Sequence, residues 1–171
     1  AGGSLATDEA LAALREKLGE VPPGLRDRVL VVFSAHGLPM SQVRKGDPYP
    51  TYIEHSARET ARRAGVPAFQ VTYQSRVGPA KWLGPDTVAF LEANARDRVV
   101  VAVPIAFVSE HLETLYDLDI LAKGAAAKGG AALFLRVPAL GTRPDFVEAL
   151  AGVVLRGMAA QPGFLHPAAA R

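Results

Sequence analysis

Four short apolar runs, separated by stretches with helical spacing, restrict what this chain can fold into. Arg28-Val29-Leu30-Val31-Val32-Phe33 is the clearest of them. It is continuous rather than alternating, which marks a strand covered on both faces. Comparable runs lie near 68–74, 98–106 and 131–137. Helical spacing is read over 7–18, 51–64, 85–96, 110–128 and 143–160. Glycine and proline punctuate the joints, at Val21-Pro22-Pro23-Gly24, Gly65-Val66-Pro67, 77–84 and Gly129-Gly130. The stretch 40–49 reads as a loop, because Lys45-Gly46-Asp47-Pro48 does not suit regular structure. Strands alternating with helices predict a parallel sheet with right-handed crossovers. The expected fold class is therefore α/β: a four-stranded parallel sheet flanked by helices, a Rossmann-like three-layer sandwich.

Polar chemistry gathers at the carboxyl ends of two of these strands. The first runs into Ser34-Ala35-His36-Gly37-Leu38-Pro39, so His36 stands where the strand stops. The third, Val99 to Ala106, runs into Phe107-Val108-Ser109-Glu110-His111-Leu112-Glu113-Thr114-Leu115-Tyr116-Asp117-Leu118-Asp119. At about 100° per residue, Glu110, Glu113 and Asp117 fall on one helix face. Like charges on one face cost stability unless something positive or protonated sits among them. Asp119 points about 160° away from Asp117 on an ideal helix. A histidine and an acid cluster at the carboxyl edge of an open α/β sheet occupy the place where such sheets hold ligands. They form a candidate metal or proton-handling site.

Composition removes several alternatives. With 171 residues the chain is one domain of ordinary size. Net charge is +2, which gives nucleic-acid binding no support. Arg58, Arg62 and Arg63 read as one solvated helix face, and His55 and His166 as surface residues. There is no cysteine, so disulfides, thiolate zinc sites and cysteine-held iron–sulfur clusters are excluded. No apolar run reaches the length of a membrane span and no secretory signal is visible. No Gly-x-Gly-x-x-Gly follows a strand and no P-loop is present. The expected compartment is the cytoplasm, with peripheral membrane association as an added possibility.

Several of these segments together resemble the ferrochelatase family. They are Ser34-Ala35-His36-Gly37-Leu38-Pro39, Gly46-Asp47-Pro48-Tyr49-Pro50, Tyr73-Gln74-Ser75-Arg76-Val77-Gly78-Pro79, Trp82-Leu83-Gly84-Pro85, Pro104-Ile105-Ala106-Phe107 and His111 to Asp119. Order and spacing match throughout. The resemblance covers the carboxyl-terminal half of the family's usual chain, and so implies a piece of a longer protein. On that reading 1–24 is a helix and connector from the missing amino-terminal half. Residues 25–160 form the chelatase-like domain, and 161–171 a disordered tail.

The resemblance implies insertion of Fe2+ into protoporphyrin IX or a related porphyrin to make haem. Iron is then a substrate, and no permanent cofactor is implied. The iron–sulfur cluster that some members carry cannot be held here. By resemblance, His36 and Glu113 are the catalytic pair, facing one another across the porphyrin pocket. His36, Glu113 and Asp117 form a path for metal or protons along a widened, π-type helix. Ser75, Phe107 and Trp82 line the substrate. Where the family often continues the acidic line, this chain has Leu121. Arg76 could pair with carboxylates, and Asp47 and Tyr49 fix a loop. The implied partners are porphyrin, ferrous iron and the missing half of the same enzyme. The alternatives are a cobalt- or sirohydrochlorin-type tetrapyrrole chelatase, and a non-catalytic porphyrin-binding domain.

Overall fold

A computed structural model describes residues 7–160. Helix α1 (Thr7–Gly19) leads through a 3-10 turn (Pro23–Arg28) into β1 (Val29–His36). Then follow α2 (Met40–Val43), α3 (Tyr49–Ala64), β2 (Phe69–Gln74), α4 (Thr87–Asn94) and β3 (Val99–Pro104). Helix α5 (Leu112–Tyr116) runs into a π-helical segment (Asp117–Ala122) and then α6 (Lys123–Lys128). Strand β4 (Leu133–Arg136) and α7 (Pro144–Ala160) complete the described chain.

The four strands are all parallel, in the order β2-β1-β3-β4. The chain leaves β1 toward one side of the sheet and later returns to the other side, beside β3. The carboxyl ends of β1 and β3 therefore flank a switch point, where connections diverge and a crevice opens. His36 ends β1, and the loop carrying Glu110 and His111 follows β3.

Alternate residues of β1 face two separate cores. Val31, Phe33 and Ala35 pack with Leu14 of α1, Ile53, Ala57 and Ala61 of α3, and Phe146 of α7. Leu30 and Val32 face Leu91 and Ala95, Leu118 and Ala122 of the π segment, and Ala125 and Ala126 of α6. This is the three-layer sandwich expected from the sequence. The helix of 7–19 shares the first core with the rest of the domain. Burying a side chain such as Phe33, fully enclosed here, stabilises by about 1.5–3 kcal/mol. The second face changes character along β1: Leu30 and Val32 are apolar, whereas Ser34 and His36 continue the same row in polar residues.

Local signals set the helix ends. Pro50 sits in the first turn of α3, where its missing N–H costs nothing. Gly65 closes α3 in the left-handed region at φ 70, with its N–H returned to Ala61 and Arg62 carbonyls. Asp86 caps α4 by accepting from Ala89 N at 2.9 Å.

Two expectations need correction. The loop of 40–49 contains a helical turn, α2, because Pro39 offers its carbonyl to Gln42 and Val43 N–H groups. The acidic helix begins at Leu112 rather than Glu110, because His111 takes the capping position. Glu110 is therefore outside the helix and does not share a face with Glu113 and Asp117. The tail 161–171 lies outside the described residues.

Candidate active site

Two backbone walls meet at the switch point. On the β1 side, the His36 carbonyl accepts from Tyr49 Oη at 3.1 Å. Asp47 Oδ1 in turn accepts from Tyr49 N at 2.9 Å, so the loop after β1 is tied down at both ends. Burial pushes the Tyr49 phenol above its ordinary pKa, with the bond to His36 opposing. The hydroxyl thus stays a donor at neutral pH. Gly37 N donates to Gln74 O at 2.8 Å. Glycine is needed there: a Cβ would stand 2.8 Å from Gln74 O and 3.3 Å from the Trp82 ring. Trp82 pairs with Pro39 in an antiparallel bridge, and its indole N–H is shielded from solvent with no acceptor among the described residues.

On the β3 side, His111 caps α5. Its Nδ1 accepts from Glu113 N at 3.2 Å, and Thr114 Oγ1 accepts from His111 N at 2.9 Å. Phe107 packs on the His111 ring, with centroids 4.9 Å apart. Phe107 also lines a small apolar cavity of about 50 Å³ with Phe33, Val103 and Phe146. That space admits only a few atoms.

The walls bring His36 and Glu113 together. Nδ1 of His36 lies 3.1 Å from Glu113 Oε2, and both side chains are about two-fifths exposed. They touch, so they share one wall rather than facing across a slot as the resemblance implied. The contact is not aligned as a hydrogen bond, and Nδ1 itself is shielded from solvent. The two groups thus approach closely without a bond between them that would have to be broken before a proton or cation is shared. A separation of 3.1 Å also suits two bonds of about 2.1 Å meeting near a right angle at one ion.

Asp117 lies one turn further along. Its Oδ2 accepts from Ser75 Oγ. Ser75 holds a left-handed backbone, φ 62, at the end of β2, which is uncommon for a residue with a side chain. Its hydroxyl is thus engaged with Asp117. Asp117 and Ser75 border a cleft of about 240 Å³ with Arg76, Asp86 and Leu121. Arg76 pairs with Asp86 at 3.3 Å. Among the described residues, no three His, Asp or Glu side chains converge as a metal-holding group. His36 and Glu113 stand as a pair, with Asp117 further along the segment and held by Ser75.

The other acids of the segment face a cation. Arg136, at the end of β4, donates from Nε to Asp119 Oδ1 at 2.6 Å and from Nη1 to Glu110 Oε1 at 2.7 Å. Ala139 N also donates to Glu110, at 2.8 Å. Burial alone would raise the Glu110 pKa, but the bonds from Arg136, Thr114 and Ala139 outweigh it and hold the carboxyl below its ordinary value. Sequence reasoning did not single out Arg136. A lone arginine closing a strand carries no periodic signal, although the unneutralised acids it serves were visible. Arg136→Met is expected to destabilise the fold at pH 7 by about 1–3 kcal/mol, as charged hydrogen bonds are lost. Glu110 has a depressed folded pKa, so its contribution is present above the unfolded value near 4.3 and fades as pH falls through the folded one. Urea unfolding at pH 7 and at pH 3.5 checks this. The gap between variant and wild type should narrow at the lower pH, and an equal gap at both would remove Glu110 from the explanation.

A family model described as Ferrochelatase matches residues 7–158. The chain belongs to the ferrochelatase family. A ferrochelatase of Caulobacter vibrioides is 44% identical over 149 residues, spanning 85% of this chain and 42% of the relative. One from Pelagibacter ubique is 43% identical over 129 residues, 74% of this chain and 38% of the relative. One from Thermosynechococcus vestitus is 43% identical over 153 residues, 87% of this chain and 39% of the relative. The chain thus spans about two fifths of the length of these ferrochelatases. The widened helix implied by resemblance to ferrochelatases lies at Asp117–Ala122, just after the turn that carries Glu113. Among the described residues, no helix is long and apolar enough to cross a membrane.

Proposed function

We propose that the protein carrying this chain inserts ferrous iron into protoporphyrin IX, or a close porphyrin, and that His36 and Glu113 carry the chemistry. The observation that supports this most is the 3.1 Å approach of an imidazole and a carboxylate at the switch point of a ferrochelatase-family domain. The reaction exchanges two pyrrole N–H protons for one metal ion. It needs a base near the ring nitrogens and donors that hold a partly dehydrated cation without trapping it. Neutral imidazole and carboxylate can do both near neutral pH. Two protein donors leave most of the coordination sphere free, which suits an ion in transit.

Asp117, steered by Ser75, is the outer acid on the path to the pair. In this reading Ser75 serves the substrate through Asp117. Phe107 and Trp82 are the aromatic lining. Leu112, Leu115 and Tyr116 surround the Glu113 turn and are well exposed, at 76%, 47% and 47%. Such surface can grip a macrocycle by burial, at about 25 cal/mol per Å². A second wall is needed to complete a slot, and we assign it to the amino-terminal portion that longer relatives possess. The expected compartment is the cytoplasm, with porphyrin and ferrous iron as small-molecule partners and peripheral membrane contact through that second wall.

The test is anaerobic incubation of the full-length protein with Fe2+ and protoporphyrin IX, following the porphyrin's visible spectrum. Haem formation is expected. Turnover of Co2+ with sirohydrochlorin in place of Fe2+ with porphyrin would assign the other chelatase chemistry. Tight porphyrin binding with no metal insertion would make it a binding domain.

A further inference from the structure

We infer that Gln74 is the positioning residue that fixes the His36–Glu113 pair from both sides; this rests on the function proposed above. Gln74 closes β2 and is 4% exposed. A buried primary amide is costly unless its donors and acceptor are matched. Here the matches all lead to the site. Nε2 donates to the Glu113 carbonyl at 2.7 Å. Oε1 accepts from Ser34 Oγ at 2.5 Å, two residues before His36 on β1. The Gln74 main-chain carbonyl accepts from Gly37 N, the residue after His36. One residue thus grips the segment on each side of His36 and the backbone of Glu113.

The amide's orientation is forced. A carbonyl can only accept, so the –NH2 must face Glu113 O, and Oε1 must then face the Ser34 hydroxyl. The network runs on into the interior. Ser34 Oγ lies 3.1 Å from Thr87 Oγ1, which donates to Thr72 Oγ1 at 2.9 Å. Ser34, Thr72 and Thr87 are all buried. They join β1, β2 and the first turn of α4 behind the amide. Ser34 pairs with Thr72 and His36 with Gln74 in the β1–β2 register, so the polar row is continuous across two strands. Gln74 does not have to touch porphyrin or metal. Its effect is to hold two side chains that share no covalent neighbourhood at a fixed approach, and an error of about 1 Å there can cost about 10²-fold in rate.

The deciding variant is Gln74→Glu, which keeps shape and removes the donor. As a carboxylate it sets an oxygen against the Glu113 carbonyl; as a carboxylic acid its O–H can replace the lost N–H. In the full-length protein, kcat for metal insertion should fall about 10²-fold at pH 8. KM for porphyrin should stay within about threefold, since ring burial is untouched. Gln74→Met, which also lacks the donor, should show the same loss. Thermal unfolding at pH 8 confirms that the variants compared are folded. A purely structural role would lower stability but leave the kcat of the folded protein and its split from KM unmoved. Co2+ alone serves as a second probe, read by its visible absorption, and should bind about tenfold more weakly to Gln74→Glu than to wild type at pH 8. Wild-type failure to insert metal would overturn the proposed function, while Co2+ binding would still judge Gln74. Unchanged Co2+ affinity and unchanged kcat ratios in Gln74→Glu would overturn the positioning role.

Discussion

His36→Ala is expected to abolish iron insertion while leaving porphyrin affinity within about tenfold of wild type. The two quantities separate because they rest on different parts of the surface. On the proposed function, affinity would come mainly from burying the ring faces against exposed apolar groups such as Leu112, Leu115 and Tyr116. Rate comes from moving protons and placing the ion, and general acid–base groups typically contribute about 10²–10⁴-fold. Removing the imidazole also leaves Glu113 Oε2 without the neighbour it approaches at 3.1 Å. Porphyrin binding is read by fluorescence quenching and insertion by the change in visible spectrum. Turnover within a few-fold of wild type would remove His36 from the mechanism.

Glu113→Gln should cost more rate than Asp117→Asn. Glu113 is in contact with His36, whereas Asp117 lies a turn away, held by Ser75. On the proposed function, neutralising Glu113 changes the pair that would meet both ion and protons. Neutralising Asp117 changes only the approach, so it should raise the iron concentration for half-maximal rate more than it lowers kcat. Leu121 lines the same cleft as Asp117 and is 39% exposed, so Leu121→Glu adds an acid at its outer edge. That variant should lower the half-saturating iron concentration. Steady-state rates against iron concentration for all three variants give the ordering. A larger kcat loss in Asp117→Asn than in Glu113→Gln would reverse it, and an unmoved iron dependence in Leu121→Glu would confine the path to the inner residues.

The strands and their order of appearance were legible because continuous apolar runs have few other uses. His36 and the acid cluster were legible for a related reason: a polar residue where an apolar run stops marks a strand's carboxyl edge. What stayed hidden was the relation between them. Ser34, Thr72 and Gln74 are ordinary strand residues by composition, and only the register of β1 against β2 shows that they form one buried polar row. Glu110 and Glu113 looked equivalent by helical spacing. A cap at His111, set by local hydrogen bonding rather than periodicity, turned one toward Arg136 and left the other beside His36. The mutual position of His36 and Glu113 depends on two crossovers, which spacing along the chain cannot encode.

The π segment has a consequence for how this helix tolerates change. A widened turn holds roughly one residue more than an α-helical turn, so everything after it lags the angular phase of a uniform α-helix by about 100°. Upstream, the phase answers to Glu113 and Asp117. Downstream, it answers to small residues: Ala122, Ala125 and Ala126 are buried against α4, and a Cβ on Gly129 would collide with the Leu91 carbonyl. The segment acts as a clutch between two requirements that a uniform helix could not meet together. Deleting one residue within Asp117–Ala122 would engage it, straightening the helix but turning either the acids or the alanines out of place. Substitutions on either side can therefore drift independently, while the length of the segment between them cannot.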